Sequence, residues 1–186
     1  MSPAADPRPE AVLEFWFAPE SRERWFRSTP QFDAAVRDRL LGLWHMAREG
    51  HLDHWEEGAD GALALAILLD QVPLNVFRGR PEAFSTEQGA REVADRAIGR
   101  GLDRELSREQ KVFLYMPFMH SEHLVDQDRA LALFEAAGLE GNARWARHHR
   151  DIVARFGRFP HRNAALGRAT TPEEAAWLAR PEAFKG

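Results

Sequence analysis

Cysteine is absent from the 186 residues, which excludes disulfides, thiolate metal sites, iron–sulfur clusters and cysteine nucleophiles together. Tyrosine occurs once and lysine twice, against 23 arginines. No apolar run approaches the roughly 18 to 20 residues of a membrane span, and Met1–Glu10 is polar and proline-rich, without the apolar core of a signal peptide. Glycine-rich phosphate loops and dinucleotide fingerprints are missing as well. A net charge of −4 gives no general attraction to nucleic acid or anionic lipid. The expectation is a soluble cytoplasmic protein with neither a nucleic-acid nor a membrane partner. Hydrophobic residues make up 44% and charged ones 29%, enough for one domain over residues 1–186 with a real core.

Strand signals are as scarce as cysteine, because no stretch alternates polar and apolar residues between hairpin turn pairs. Helix signals are plentiful. Ser85 with Gln88, Ser107 with Gln110 and Thr171 with Glu174 have capping-box spacing, and Pro172 follows Thr171. Gly50, Gly101, Gly138 and Gly157 each close a periodic segment. These marks predict helices near 7–17, 30–49, 60–72, 86–100, 107–116, 121–137, 142–156 and 172–179. The expected fold is all-α: about eight helices stacked as antiparallel, tetratricopeptide-like hairpins. Ala62–Leu69 is apolar all round and reads as an enclosed central helix. It is expected to stop at Asp70-Gln71, ahead of Pro73, leaving a carboxylate in its last turn for an arginine such as Arg78 to offset.

Two helices carry polar groups on their apolar faces. His120, Leu124, Gln127, Leu131 and Phe134 share one face if the 121–137 helix is extended back a turn. Trp145, His149, Ile152, Val153 and Phe156 form a second stripe. His120, Gln127 and His149 are therefore expected to point inward, where a polar group without a partner costs about 1 to 3 kcal/mol. Between Asp151 and Glu173 no acidic residue occurs, while Arg155, Arg158, Arg162 and Arg168 all do, with His161 among them. That stretch carries +4 in an acidic chain and reads as a long ordered loop suited to capturing a small anion. The bland alternative is that these arginines cap helices and pair with nearby acids.

The motifs Phe15-Trp16-Phe17, Trp25-Phe26, Leu69-Asp70-Gln71, Phe77-Arg78-Gly79, His120-Ser121-Glu122 and Phe156-Gly-Arg-Phe-Pro-His-Arg-Asn163, with Thr171-Pro-Glu-Glu174, occur in this order. Almost end to end, the chain resembles the uncharacterised family known as domain of unknown function 924. The resemblance implies an all-α, tetratricopeptide-like fold in a mainly bacterial family, with no assigned reaction. The family usually has arginine after the proline of its Asp-Gln-x-Pro-x-Asn motif, where this chain has Leu74.

Three readings compete. In the first, Arg158 and Arg162, helped by Arg78 and Arg155, bind a small anionic metabolite. His120, His149 or His161 move protons there, and Asp70 and Glu122 orient them. Asn163, Gln71, Gln127 and Trp25 complete the expected lining. In the second, helical hairpins hold a peptide or protein partner whose carboxylate is clamped by arginine. The third makes the motifs a buried polar network that fixes helix register. His120 and His123 have spacing that could share a metal, but no His-Glu-x-x-His motif exists and no metal site is assigned. Neither substrate nor cofactor can be named from these residues.

Overall fold

The structure, a computed structural model, describes residues 7–181 and 183. It is all-α. In order come α1 (Pro9–Trp16), α2 (Pro19–Arg22), α3 (Pro30–Arg48), α4 (Ala59–Val76), α5 (Glu87–Gly99), α6 (Arg108–Met119), α7 (Leu124–Ala136), α8 (Glu140–Phe156) and α9 (Pro172–Leu178). Short 3₁₀ turns occupy Asp53–Glu57, Pro81–Phe84, Leu102–Glu105 and Pro160–Arg162, and no strand occurs among the described residues. Proline stands at the first position of α1, α2, α3 and α9, where its missing N–H would have had no helical partner anyway. The four predicted glycine stops all adopt left-handed backbone, with φ from 66° at Gly138 to 80° at Gly50.

The chain divides into two compact units, one formed by the residues up to Arg78 with Glu82–Pro117, the other by Gly79–Pro81 with Phe118 onward. In the first unit α4 is the core: α1, α3, α5 and the Asp53–Glu57 turn pack around it, and Ala62–Leu68 are each at most 1% exposed. By length and hydropathy α4 could cross a membrane, yet 89% of it is buried inside the fold. Gly61 fits because any side chain there would meet the Trp55 carbonyl, 2.0 Å from an added Cβ. In the second unit α7 and α8 form a hairpin turning at Gly138, and α9 packs on the Pro160–Arg162 turn. Ile152, Val153, Phe159 and Trp177 make its core, with Phe156 and Leu178 against them.

Two expected boundaries fail for one physical reason. The central helix does not stop before Pro73 but runs on to Val76. Proline cannot donate to the carbonyl four residues back, which here is Leu69. The Thr86 hydroxyl donates to that carbonyl instead, at 2.5 Å, and accepts from Trp44 Nε1 at 3.1 Å. Thr86 thereby takes the N-cap position of α5 without making a side-chain cap bond. The expected Ser85–Gln88 box is absent: Ser85 donates to the Glu82 carbonyl. Asp70 is therefore not in a last turn. The boxes at Ser107–Gln110 and Thr171–Glu174 do form, each with both reciprocal bonds.

Thr86→Val keeps the shape and removes the hydroxyl, leaving the buried Leu69 carbonyl and Trp44 N–H unsatisfied. We expect a loss of about 2 kcal/mol in stability by chemical denaturation; a change near zero would mean that Pro73 is accommodated some other way.

Candidate functional site

Glu122 sits in the turn between α6 and α7, half-buried, and its carboxylate gathers the loop that follows α8. Oε1 accepts from the backbone N–H of Phe159 at 2.7 Å and from Arg168 Nη2 at 2.9 Å; Oε2 accepts from Arg168 Nη1 at 2.7 Å. Arg168 also donates to the Phe159 carbonyl and to Asn163 Oδ1, both at 3.0 Å. Burial alone would raise the pKa of Glu122, but Arg168, the Phe159 N–H and the charge of Arg162 outweigh it and hold the carboxyl below its usual range.

A second carboxylate extends the network. Glu174, buried at the first turn of α9, accepts from Arg158 through both oxygens, at 2.7 and 2.9 Å. Its Oε2 also takes the N–H of Thr171 and the side-chain amide of Asn163. These bonds, those of Arg158 first, bring its pKa down to about 2. Arg158 in addition donates to the Ala169 carbonyl. One residue thus serves as helix cap and as anchor for the loop.

The ring of Phe159, itself fully buried, is the meeting point. His149 and His161 each lie with ring centroids 5.5 Å from it, and the Arg162 guanidinium stands 4.8 Å over its face. Arg162, 5% exposed, donates to the His120 carbonyl at 2.8 Å. Burial pushes His149 down to about 3, with the charges of His120, His148 and Arg162 adding to that effect. Burial and Arg162 likewise lower His161 to about 3. Both imidazoles are neutral at physiological pH. His149 Nδ1 lies 2.8 Å from the Trp145 carbonyl, an acceptor only, so Nδ1 carries its proton.

The second unit therefore brings together His120, Glu122, His149, His161, Arg162 and Asn163. Gln127, fully buried, belongs to the same unit and donates to the carbonyls of Met119 and Ser121 at 2.7 and 2.6 Å. Other expectations need correction. Arg158 and Arg155 are not held ready for a ligand: the first is bound to Glu174 and the second to Glu173 at 2.8 Å. Arg78 pairs with Asp33, not Asp70. Trp25 packs its ring 4.6 Å from Phe113 and donates to the Trp16 carbonyl, as a structural anchor rather than a pocket wall. Asp70 and Gln71 belong to the first unit, where Gln71 Nε2 donates to the fully buried Asp70 at 2.6 Å.

His120 is half-buried in a turn, because α6 ends at Met119 and α7 begins at Leu124; the single face shared with Leu124 does not exist, and Leu124 is exposed. Trp145, expected in the buried stripe, is 56% exposed. No group of three potential metal ligands occurs among the described residues. Arg168 and Glu174 were missing from the expected site, although both carried signals: an arginine within the +4 stretch and the acid of a capping box.

Over residues 12–182 the sequence matches the family described as "Bacterial protein of unknown function (DUF924)". The chain belongs to this family. A solved structure of a protein of unknown function from Agrobacterium tumefaciens is similar to it, at 43% identity and a TM-score of 0.87. The match covers 92% of this chain and 96% of that one. No curated protein matches. His120, Glu122, Arg162 and Asn163, within the matched range, are ones that the fold draws to the Phe159 loop.

Two outcomes follow from this geometry. Glu122→Gln should cost about 2 kcal/mol, the scale of a hydrogen bond to a charged group. A double-mutant cycle with Arg168→Ala should show coupling of about 1 to 2 kcal/mol; additive effects would dissolve the clasp. For pH, the unfolded histidine value is near 6.5 and the folded values of His149 and His161 are about 3. The unfolded chain then binds more protons between those limits, so stability falls as pH drops from 6.5 towards 3. Chemical denaturation at stepped pH should give a shallower slope for His149→Gln than for wild type.

Proposed function

We propose that this protein binds a small anionic ligand in its second unit, with Arg162 and the imidazoles of His120, His149 and His161 as the recognition groups. The observation that carries this reading is their convergence: a guanidinium and two neutral imidazoles from α8 and the following loop surround one buried ring, with His120 within electrostatic reach. The Arg162 guanidinium and the single N–H of a neutral His161 can donate to a carboxylate or phosphate, while His149, whose N–H is committed to the Trp145 carbonyl, offers an acceptor to a protonated ligand oxygen. Binding is favoured over proton transfer. A general base works best with a pKa near the operating pH, and His149 and His161, at about 3, accept protons poorly at pH 7. A clamp for a peptide carboxylate built on Arg158 is disfavoured, because Glu174 already occupies that guanidinium.

The test is the thermal unfolding midpoint against a panel of phosphorylated and carboxylated metabolites. A ligand at about 100 times its dissociation constant adds ~2.7 kcal/mol, which raises the midpoint by several degrees in a chain of this size. Arg162→Lys keeps the charge and loses the planar fork, and should reduce the shift. Arg155→Ala, which breaks an exposed pair with Glu173 and a contact over the Phe156 ring, should leave it intact. No shift from any anion, or an equal shift in the Arg162→Lys protein, defeats the reading.

A further inference from the structure

Many arginines of this chain are spent on its own acids: Arg78 on Asp33, Arg96 on Glu56, Arg147 on Glu135, Arg155 on Glu173 and Arg158 on Glu174. Two places in the first unit set charges without ion pairs beside apolar groups, and those charges are opposite. One is the turn after α2. Phe26 is 70% exposed there, flanked by Arg24 and Arg27, which are exposed and hold no ion pair among the described residues. The turn is rigid. Backbone bonds from Arg24 N–H to the Ser21 carbonyl and from Arg27 N–H to the Arg24 carbonyl close it, at 2.9 and 3.1 Å. Trp25 fastens its other side to the Trp16 carbonyl. An aromatic ring held out in water by a built turn, between two uncommitted guanidiniums, has the composition of an interface anchor.

The other place is an open cleft of about 580 Å3 with an apolar wall that includes Trp55 and Ala59. Glu10, Glu57, Asp60 and Glu105 line it, and among the described residues none of these four carboxylates takes an ion pair. Arg100, close by, is turned to the carbonyls of Glu56 and Glu57. The volume lies within the range of clefts that hold whole ligands, so a phenyl ring and a neighbouring guanidinium fit.

We propose that the Arg24–Phe26–Arg27 turn of one copy docks into this acidic cleft of a second copy of the chain. Charge complementarity selects the occupant: the turn offers an apolar tip between two cations, and the cleft an apolar wall beneath four anions. Each copy carries both surfaces, so the contact is heterologous and builds either a closed ring or an open chain. This inference is independent of the anion site in the second unit.

Sedimentation velocity over a wide concentration range tests it. Wild type should associate, and association should weaken between about 0.05 and 0.5 M salt as screening shortens the reach of the charges. Phe26→Ala should weaken self-association about tenfold or more, the effect of removing an interface anchor. Arg24→Glu with Arg27→Glu, and separately Glu57→Arg with Glu105→Arg, should each give monomers with the wild-type thermal midpoint. Mixing the two reversed proteins should restore association, since each then supplies one partner surface of matched charge. A wild type that stays monomeric throughout overturns the proposal. So does association indifferent to Phe26→Ala and to both reversals, or a mixture that stays monomeric.

Discussion

A single carboxylate, Glu122, holds the second unit in order. It is half-buried between α6 and α7, far in sequence from the groups it binds: the N–H of Phe159 and both terminal nitrogens of Arg168. Ordering a long loop costs about 1 to 2 kcal/mol per residue in backbone entropy, so the Phe156–Thr170 segment needs fixed points. Glu122 pins the Phe159 backbone, which drives the Phe159 ring inward, and that ring in turn sets where His149, His161 and Arg162 meet. Glu174 supplies the second fixed point by joining α9's cap to Arg158 and Asn163. Without either acid, the positive charges of the segment would repel one another across the same small volume.

This arrangement changes what a cluster of arginines means. In sequence the run from Arg155 to Arg168 looks like a surface awaiting an anion. In the fold, Glu122, Glu173 and Glu174 come from outside the acid-free stretch and answer three of its four arginines. For those three arginines the bland reading describes the fold: their charge builds the loop, while Arg162 stands over the Phe159 ring. The same burial that brings His149 and His161 to the ring strips them of basicity, which makes both poor proton acceptors near neutral pH.

Local signals carried most of the helical frame. The eight longer helices begin and end within a few residues of where capping residues, prolines and glycines put them, because those features act over one turn of backbone and need no tertiary knowledge. The failures were tertiary. That α4 continues through Pro73 depends on a hydroxyl from Thr86, 13 residues later, replacing a missing donor, and no pattern within the helix announces it. Trp145 satisfies the apolar period of α8 yet lies on an exposed side, since periodicity reveals a stripe but not its width. That His120, His149, His161 and Arg162 share one neighbourhood was legible from residue type and helix face. Their roles were not, because committing an arginine to an acid or emptying an imidazole of its proton is decided by neighbours distant in sequence.

The two units show contrasting solutions to the same problem. The first encloses an 18-residue apolar helix, with buried polar bonds at Asp70–Gln71 and where Pro73 interrupts the helical ladder. The second adds to its apolar core the ionic bonds of Glu122 with Arg168 and of Glu174 with Arg158. Apolar packing is tolerant of volume-conserving exchange, whereas a buried ionic network fails when one partner is lost. Residues such as Glu122, Arg168 and Glu174 are therefore as constrained as any ligand contact, and a functional reading of this family has to separate them from the groups that face Phe159. Arg162 is where the two demands meet: its carbonyl bond belongs to the scaffold and its guanidinium face to the ring cluster. A lysine there could keep the charge but not both geometries.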